Sequence, residues 1–388
     1  MVNIKTVPAL GSCRPGTTDD DNHSAGMSKA RSVIRLFALL IGRVSVNRKQ
    51  LLNFRINKRT YMNRRQFFKG SAIIGASVAM PAILQSTSGI AGESKGRKVH
   101  RVLNASKSMV GTLPVLRAFA GDHNDYVSPF VFFDEFGPVT VNPKDKPLRV
   151  DAHPHAGIIP TTYFLEGNGH HRDSLNYDFQ ISKGDFMMFT SGRGAIHMEE
   201  TGEGLYKDGG VYHGFQIWLN MPAKYKFTDP ATDVFHPDKM AVAKGKDYTA
   251  SVVLGELFGA RSKVEPLFPV FYFHIKLDAG ARLSIPTDPG HNAFIYVIKG
   301  KLETEGRREI AANQVVLYER GASEVEIFSA GGSEILMLGG QPHNEPVFAY
   351  GPFVMNTEEE IRRCIRDYQA GKMGDPEVVN AIRELNRR

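Results

Sequence analysis

Cysteine is almost missing from this 388-residue chain, which holds only Cys13 and Cys364. Two thiols cannot supply a disulfide framework, so the small stapled scaffolds are excluded. Long apolar runs are missing too. The most apolar stretch, Ala72 to Leu84, is too short to span a bilayer comfortably and contains Pro81. A basic body is the third absence, although the formal charge of +7 suggests one. Residues 1–69 carry 14 Lys and Arg against 3 Asp and Glu, a net of +11, which leaves 34 against 38, a net of −4, for the rest. The body therefore has no electrostatic footprint for nucleic acid, and no nucleic-acid partner is expected.

What remains is an ordinary soluble composition, 42% hydrophobic and 23% charged, in a chain long enough for two domains. Between residues 98 and 230 short apolar stretches are separated by Gly, Pro, Asn and Asp, with no long helical period. Tyr126 to Phe133, Thr161 to Leu165, Asp185 to Thr190 and Phe215 to Leu219 read as strands of an antiparallel sandwich or barrel. Leu165-Glu166-Gly167-Asn168-Gly169 reads as a hairpin turn. Residues 231–350 repeat this rhythm through Phe271 to Ile275, Ala293 to Gly300, Gln314 to Tyr318 and Glu334 to Leu338. Ile298-Lys299-Gly300 stands where Leu165-Glu166-Gly167 stood, which suggests a second copy of one barrel.

The chemistry concentrates between His153 and Glu199. Residues two apart on a strand share a face, so His153 and His155 form one pair and His197 and Glu199 another. If the two strands lie side by side, three imidazoles and one carboxylate converge, a donor set suited to iron, nickel, copper, manganese or zinc. In the second half Gly290-His291-Asn292 and Arg320-Gly321-Ala322 occupy the corresponding places, and a lone His291 holds no metal well. His170 and His171, beside the turn, are expected to be solvated rather than ligating. His213 is open between steadying a ligand through a hydrogen bond and simple packing, and Arg193 between a backbone carbonyl and an acidic substrate. Trp218 reads as a core aromatic.

The ends of the chain have their own signals. Met62-Asn63-Arg64-Arg65-Gln66-Phe67-Phe68-Lys69, the apolar run and small residues near Ala91 resemble a twin-arginine export signal over 62–91. Residues 1–61 are then an upstream extension without a stable fold, Met62 is the expected start, and the expected location is periplasmic or secreted. At the other end, over 351–388, Thr357-Glu358-Glu359-Glu360 is a capping box that opens a helix carrying Ile361, Cys364, Ile365 and Tyr368 on one face. Cys364 is thus a packed thiol. Asp375-Pro376 starts a second short helix with Val379, Ile382 and Leu385.

His153-Pro154-His155, Leu165-Glu166-Gly167 and Gly192-Arg193-Gly194-Ala195-Ile196-His197-Met198-Glu199 together resemble the pirin family of bicupin proteins. Pro129 to Phe136, His213 to Asn220 and Tyr350 to Thr357 extend the resemblance over roughly residues 100–375. It implies an all-β fold of two tandem cupin (jelly-roll-type) barrels with C-terminal helices, the segment from Tyr350 returning toward the first barrel. It also implies His153, His155, His197 and Glu199 as ligands of one divalent metal, Fe(II) being usual, with Ni, Cu, Mn or Zn open. The activity implied is a quercetin 2,3-dioxygenase-type ring opening of a flavonol or related phenolic by dioxygen, with release of carbon monoxide and with Glu199 as the catalytic base. The alternative is a non-catalytic metal protein acting as a periplasmic binding or redox-responsive module. A zinc isomerase or hydrolase is a third reading. The expected assembly is a monomer, with the twin-arginine translocase as its partner during export.

Overall fold

The computed structural model describes residues 96–120 and 124–381, so the export signal and the upstream extension lie outside the described residues. From Ser106 to Phe235 eleven strands run in chain order after β1 (Val99–Asn104). They are β2 (Ser106–Val110), β3 (Leu113–Ala120), β4 (Phe130–Val141), β5 (Arg149–His155), β6 (Ile158–Glu166) and β7 (Asn168–Asp173). β8 (Asp178–Ser182), β9 (Phe186–Thr190), β10 (Ala195–Thr201), β11 (Gly210–Asn220) and β12 (Ala231–Phe235) follow. They form two antiparallel sheets, ordered β12-β9-β6-β11-β4-β3-β2 and β5-β10-β7-β8, and these are the walls of the first cupin barrel.

The second barrel contains β13 (Ala241–Lys244), β14 (Tyr248–Leu254), the two-residue pair β15 and β16 (Glu256–Leu257 and Ala260–Arg261), β17 (Val270–Leu277) and β18 (Ala281–Pro286). β19 (Asn292–Thr304), β20 (Arg308–Ala311), β21 (Gln314–Tyr318), β22 (Glu324–Ser329) and β23 (Ser333–Gly340) complete it. One strand crosses between the halves: β1, which precedes the first barrel in the chain, pairs with β21 of the second. One apolar cluster spans both barrels, with Phe130 edge-on to Phe294 at 5.2 Å and Phe133 against Tyr296 at 4.9 Å. The barrels therefore share a core rather than merely touch.

Two local expectations are corrected. Leu165 to Gly169 is not a hairpin, because β6 and β7 belong to different sheets. Gly167, with φ of +77°, turns the chain through a barrel corner, and Gly300, at +79°, bends β19 in the same way. Tyr126 to Phe133 is not one strand either. A short helix, Asn124–Val127, comes first, and β4 begins only at Phe130, after the cis peptide bond Ser128-Pro129.

The tail closes the first barrel. β24 (Phe348–Tyr350) and β25 (Phe353–Met355) form a ribbon, and Phe353 bridges Ala156 at the end of the His153–His155 strand. Lys226, fully buried, donates to the carbonyls of Gly157 (2.9 Å) and Val354 (2.7 Å) and to Asn220 Oδ1 (2.6 Å), pinning that ribbon down. Helix Glu358–Gln369 opens on the expected capping box, with Thr357 Oγ1 accepting from Glu360 N and Glu360 Oε2 accepting from Thr357 N. Cys364 is buried on its inner face, and burial pushes the thiol up to about 12, so it is packing and not a nucleophile. Val379 of the following helix is buried, while Ile382 and Leu385 lie outside the described residues.

Candidate metal centre

β5 and β10 are hydrogen-bonded neighbours, with His153 opposite His197 and Ala195 opposite His155. That register brings the imidazoles of His153, His155 and His197 together, their ligand atoms all within 4.8 Å of one another. A bulge between His197 and Glu199 shifts the carboxylate along the strand. Glu199 instead groups with His197 and with His171 of β7, which sits directly opposite it. Among the described residues these are the two clusters able to hold a metal ion.

Backbone carbonyls set the tautomers. A carbonyl oxygen only accepts, so His153 Nδ1 donates to Asp151 O (2.8 Å) and His155 Nδ1 to Pro352 O (3.2 Å). Both rings then present the Nε2 lone pair inward, and His155 Nε2 is buried without any partner. His153 Nε2 and His197 Nε2 face each other at 3.1 Å. Burial pushes His153 down to about 4 and His155 and His197 well below the ordinary imidazole range, neighbouring imidazoles adding to all three shifts. Three neutral, converging, partly orphaned nitrogens fit a divalent cation and leave little other reason for their burial.

Glu199 is half-buried, and its Oε1 lies 3.0 Å from Thr162 Oγ1, which in turn lies 2.7 Å from Gln216 Oε1. Burial raises the carboxyl above its usual range, opposed by His171 and the Thr162 contact. His171 is not solvated as expected. It is fully buried, its Nε2 donates to Asp173 Oδ2 (3.0 Å), and its Nδ1 is buried without a partner. The reason is the pairing of β7 with β10, which puts His171 and Asp173 on the inner side. Their two-residue spacing was a signal that could have found them. His170 is buried as well, bonding Asp178 at 2.5 Å on the rim of the cavity.

Three further assignments resolve. His213 steadies no ligand of the centre: its Nε2 bonds Glu135 Oε1 (2.7 Å), and Glu135 also accepts from Tyr296 of the second barrel. Arg193 takes neither expected role and pairs with Asp229 at the surface. Trp218 is a wall rather than a core aromatic. It stacks on Phe132 at 4.2 Å, meets His155 edge-on at 4.9 Å, and faces a cavity of about 330 Å³. Phe164, Tyr212, Ile181 and Val115 also line that cavity, and the C-terminal ribbon closes it through Ala349, Pro352 and Val354.

Residues 112–219 match the family model described as Pirin, and residues 272–374 match that of the Pirin C-terminal cupin domain. A Pseudomonas aeruginosa protein provisionally named quercetin 2,3-dioxygenase is 35% identical over 272 residues, covering 66% of this chain and 90% of the relative. This chain belongs to the pirin family. Human Pirin is 32% identical to this pirin over 253 residues, covering 64% of the chain and 83% of the human protein. A crystal structure of quercetin 2,3-dioxygenase from Acinetobacter baumannii superposes with a TM-score of 0.70 at 27% identity, covering 72% of this pirin and 99% of that chain. The matched segments include the two strands that carry His153, His155, His197 and Glu199.

Proposed function

We propose that this pirin is a metal-dependent dioxygenase that opens the ring of a flavonol or related phenolic, in the manner of a quercetin 2,3-dioxygenase. The observation that carries the reading is the junction of an apolar, aromatic-walled cavity with three inward-facing neutral imidazoles and one carboxylate of raised pKa. The names borne by the Pseudomonas and Acinetobacter proteins support the same substrate class.

His153, His155, His197 and Glu199 would hold the ion, with Fe(II) the metal we favour. When bound, it supplies a positive charge for a deprotonated hydroxyl and the one-electron chemistry that reactions of dioxygen require. The protein does the remainder. Trp218 and Phe132, stacked face to face, offer apolar ring edges to a planar ring system, and the mostly apolar lining limits water at the reacting carbon. Glu199 takes the hydroxyl proton of the substrate, since a carboxylate whose pKa burial has raised is a stronger base than a solvated one. Thr162 then receives a hydrogen bond from the protonated Glu199 and passes its own to Gln216, so the proton has a defined place to rest.

Glu199→Gln is the test. Metal content should survive while flavonol-dependent oxygen uptake falls by about 10²-fold or more. Unchanged turnover would refute the role of Glu199. Firm metal binding in the wild type with no oxygen uptake on any flavonol would instead favour a binding module.

We also propose that the protein is exported folded by the twin-arginine route, with cleavage after Ala91 and a periplasmic or secreted destination. The basic head at Arg64-Arg65 and the absence of any need for oxidative folding support this. A secreted chain whose first residue precedes Met62 would refute it.

A further inference from the structure

The cavity has a polar seam in an otherwise apolar wall. Across the seven-stranded sheet Thr162 lies opposite Gln216, Gln216 opposite Asp134, and Asp134 opposite Arg117. Four polar side chains on the adjacent strands β6, β11, β4 and β3 thus form one row, and all four line the cavity. The row begins at the hydrogen-bond partner of Glu199. With strands about 4.8 Å apart, it ends about 14 Å farther on, at Arg117. Beside it runs an aromatic row, Trp218 opposite Phe132, and Phe132 packs under the guanidinium of Arg117 at 4.7 Å.

Arg117 and Asp134 form a bidentate pair, Nε to Oδ1 at 2.9 Å and Nη2 to Oδ2 at 2.7 Å. Two of five guanidinium N–H groups are used there, and the three others remain available. The carboxylate side chain is 2% exposed and the arginine 14%, so the arginine is the member that reaches the open space. Because the pair is neutral as a unit, an entering anion would lose its hydration without meeting a net countercharge. A neutral hydroxyl has no such cost and accepts a charge-assisted hydrogen bond.

We propose that Arg117 is the specificity-determining residue at the end of the cavity remote from Glu199. It donates to a hydroxyl on the distal ring of a planar phenol whose rings lie along the Thr162–Gln216–Asp134–Arg117 row, bordered by the stacked Trp218 and Phe132. The inference rests on the flavonol reading and narrows it to flavonols hydroxylated on the far ring.

Trp218 is the sole tryptophan, so its fluorescence reports occupancy of this cavity directly. The metal-loaded protein, kept anaerobic to prevent turnover, is titrated with quercetin, which carries distal-ring hydroxyls, and with 3-hydroxyflavone, which has none. In Arg117→Met the quercetin affinity should fall about tenfold, the loss of one hydrogen bond to a charged donor, while that for 3-hydroxyflavone stays within about twofold. The double variant Arg117→Met/Asp134→Asn should behave alike, and it removes the buried charge that could unfold the single one. Equal losses for both ligands, or none for quercetin, would overturn the assignment of Arg117 and leave the flavonol reading standing. If the wild-type protein binds neither flavonol, the reading fails and the inference falls with it.

Discussion

The first barrel holds a cavity that reaches a cluster of imidazoles, whereas the interior of the second is an apolar cluster. Ile275, Ile295, Val297, Val316, Tyr318, Ile335 and Met337 form the buried interior of the second. At its mouth, the loops around His291 and Ala322 stand where the first barrel carries His153 to His155 and His197. Those loops are joined by Arg97, which is 1% exposed. Its Nη1 donates to His291 O (2.7 Å), Nη2 to Asp288 O (2.6 Å), and Nε to Ala322 O (3.1 Å) and Thr287 Oγ1 (2.9 Å). One barrel thus gathers its rim with a cation of its own, and the other presents a donor set to a cation from outside. The difference teaches that the barrel plan can gather its rim without a metal-ligand set.

The sharpest way to break the comparison is to remove one nitrogen from each rim. His155→Ala should lower metal affinity by more than 10²-fold, read by metal analysis after dialysis against a weak chelator, whereas His291→Ala should leave metal content unchanged. A comparable loss from both would mean that the second barrel takes part. Arg97→Met reverses the test. It leaves several carbonyl oxygens without their buried donor, so unfolding free energy should drop by about 3 kcal/mol in urea with metal content intact.

Acid should also tell the barrels apart. In the metal-free protein, His153 titrates near 4, and His155 and His197 are pushed below the ordinary imidazole range, because burial excludes the charged form. An unfolded chain protonates these groups near 6.5, so between about 6.5 and 4 the unfolded state binds more protons. Stability is therefore fully present above 6.5 and is lost as pH falls through that window, by about 3 kcal/mol for His153 alone. Urea midpoints of the metal-free protein measured from pH 7 to pH 4.5 should show this slope, and His153→Asn should flatten it. A slope unaltered by that substitution would place the acid sensitivity elsewhere.

Sequence revealed the strand character, the doubled barrel and the gathering of His153, His155 and His197, because period two is a local signal, but the bulge that groups Glu199 with His171 instead had none. It concealed what depends on pairing between distant strands. His171 looked like a turn residue until β7 lay beside β10. Likewise Arg117 and Asp134, 17 residues apart, became one group only when β3 met β4. The carbonyl of Pro352, which orients His155 from 197 residues away, carries no side-chain signature at all. Composition likewise hides Arg97, since a lone arginine before a strand reads as a solvated charge until its four acceptors are placed around it.

The smallest expected difference is the most direct check that the barrels are two copies of one plan. Gly167 and Gly300 turn equivalent corners with nearly the same positive φ. A Cβ on Gly167 would meet Val211 O at 2.3 Å, and one on Gly300 would meet Gly332 O at 2.4 Å. Alanine at either site adds left-handed backbone strain to a clash with a carbonyl that the strands hold in place. Each substitution should therefore cost about 2 kcal/mol, equal within experimental error by urea denaturation. Since a Cβ at either glycine meets none of the candidate ligands, adding metal should raise the stability of both variants by the same increment as in the wild type. If Gly167→Ala alone lost that increment, the corner would be coupled to the imidazoles, and the two barrels would differ in their frames as well as in their contents.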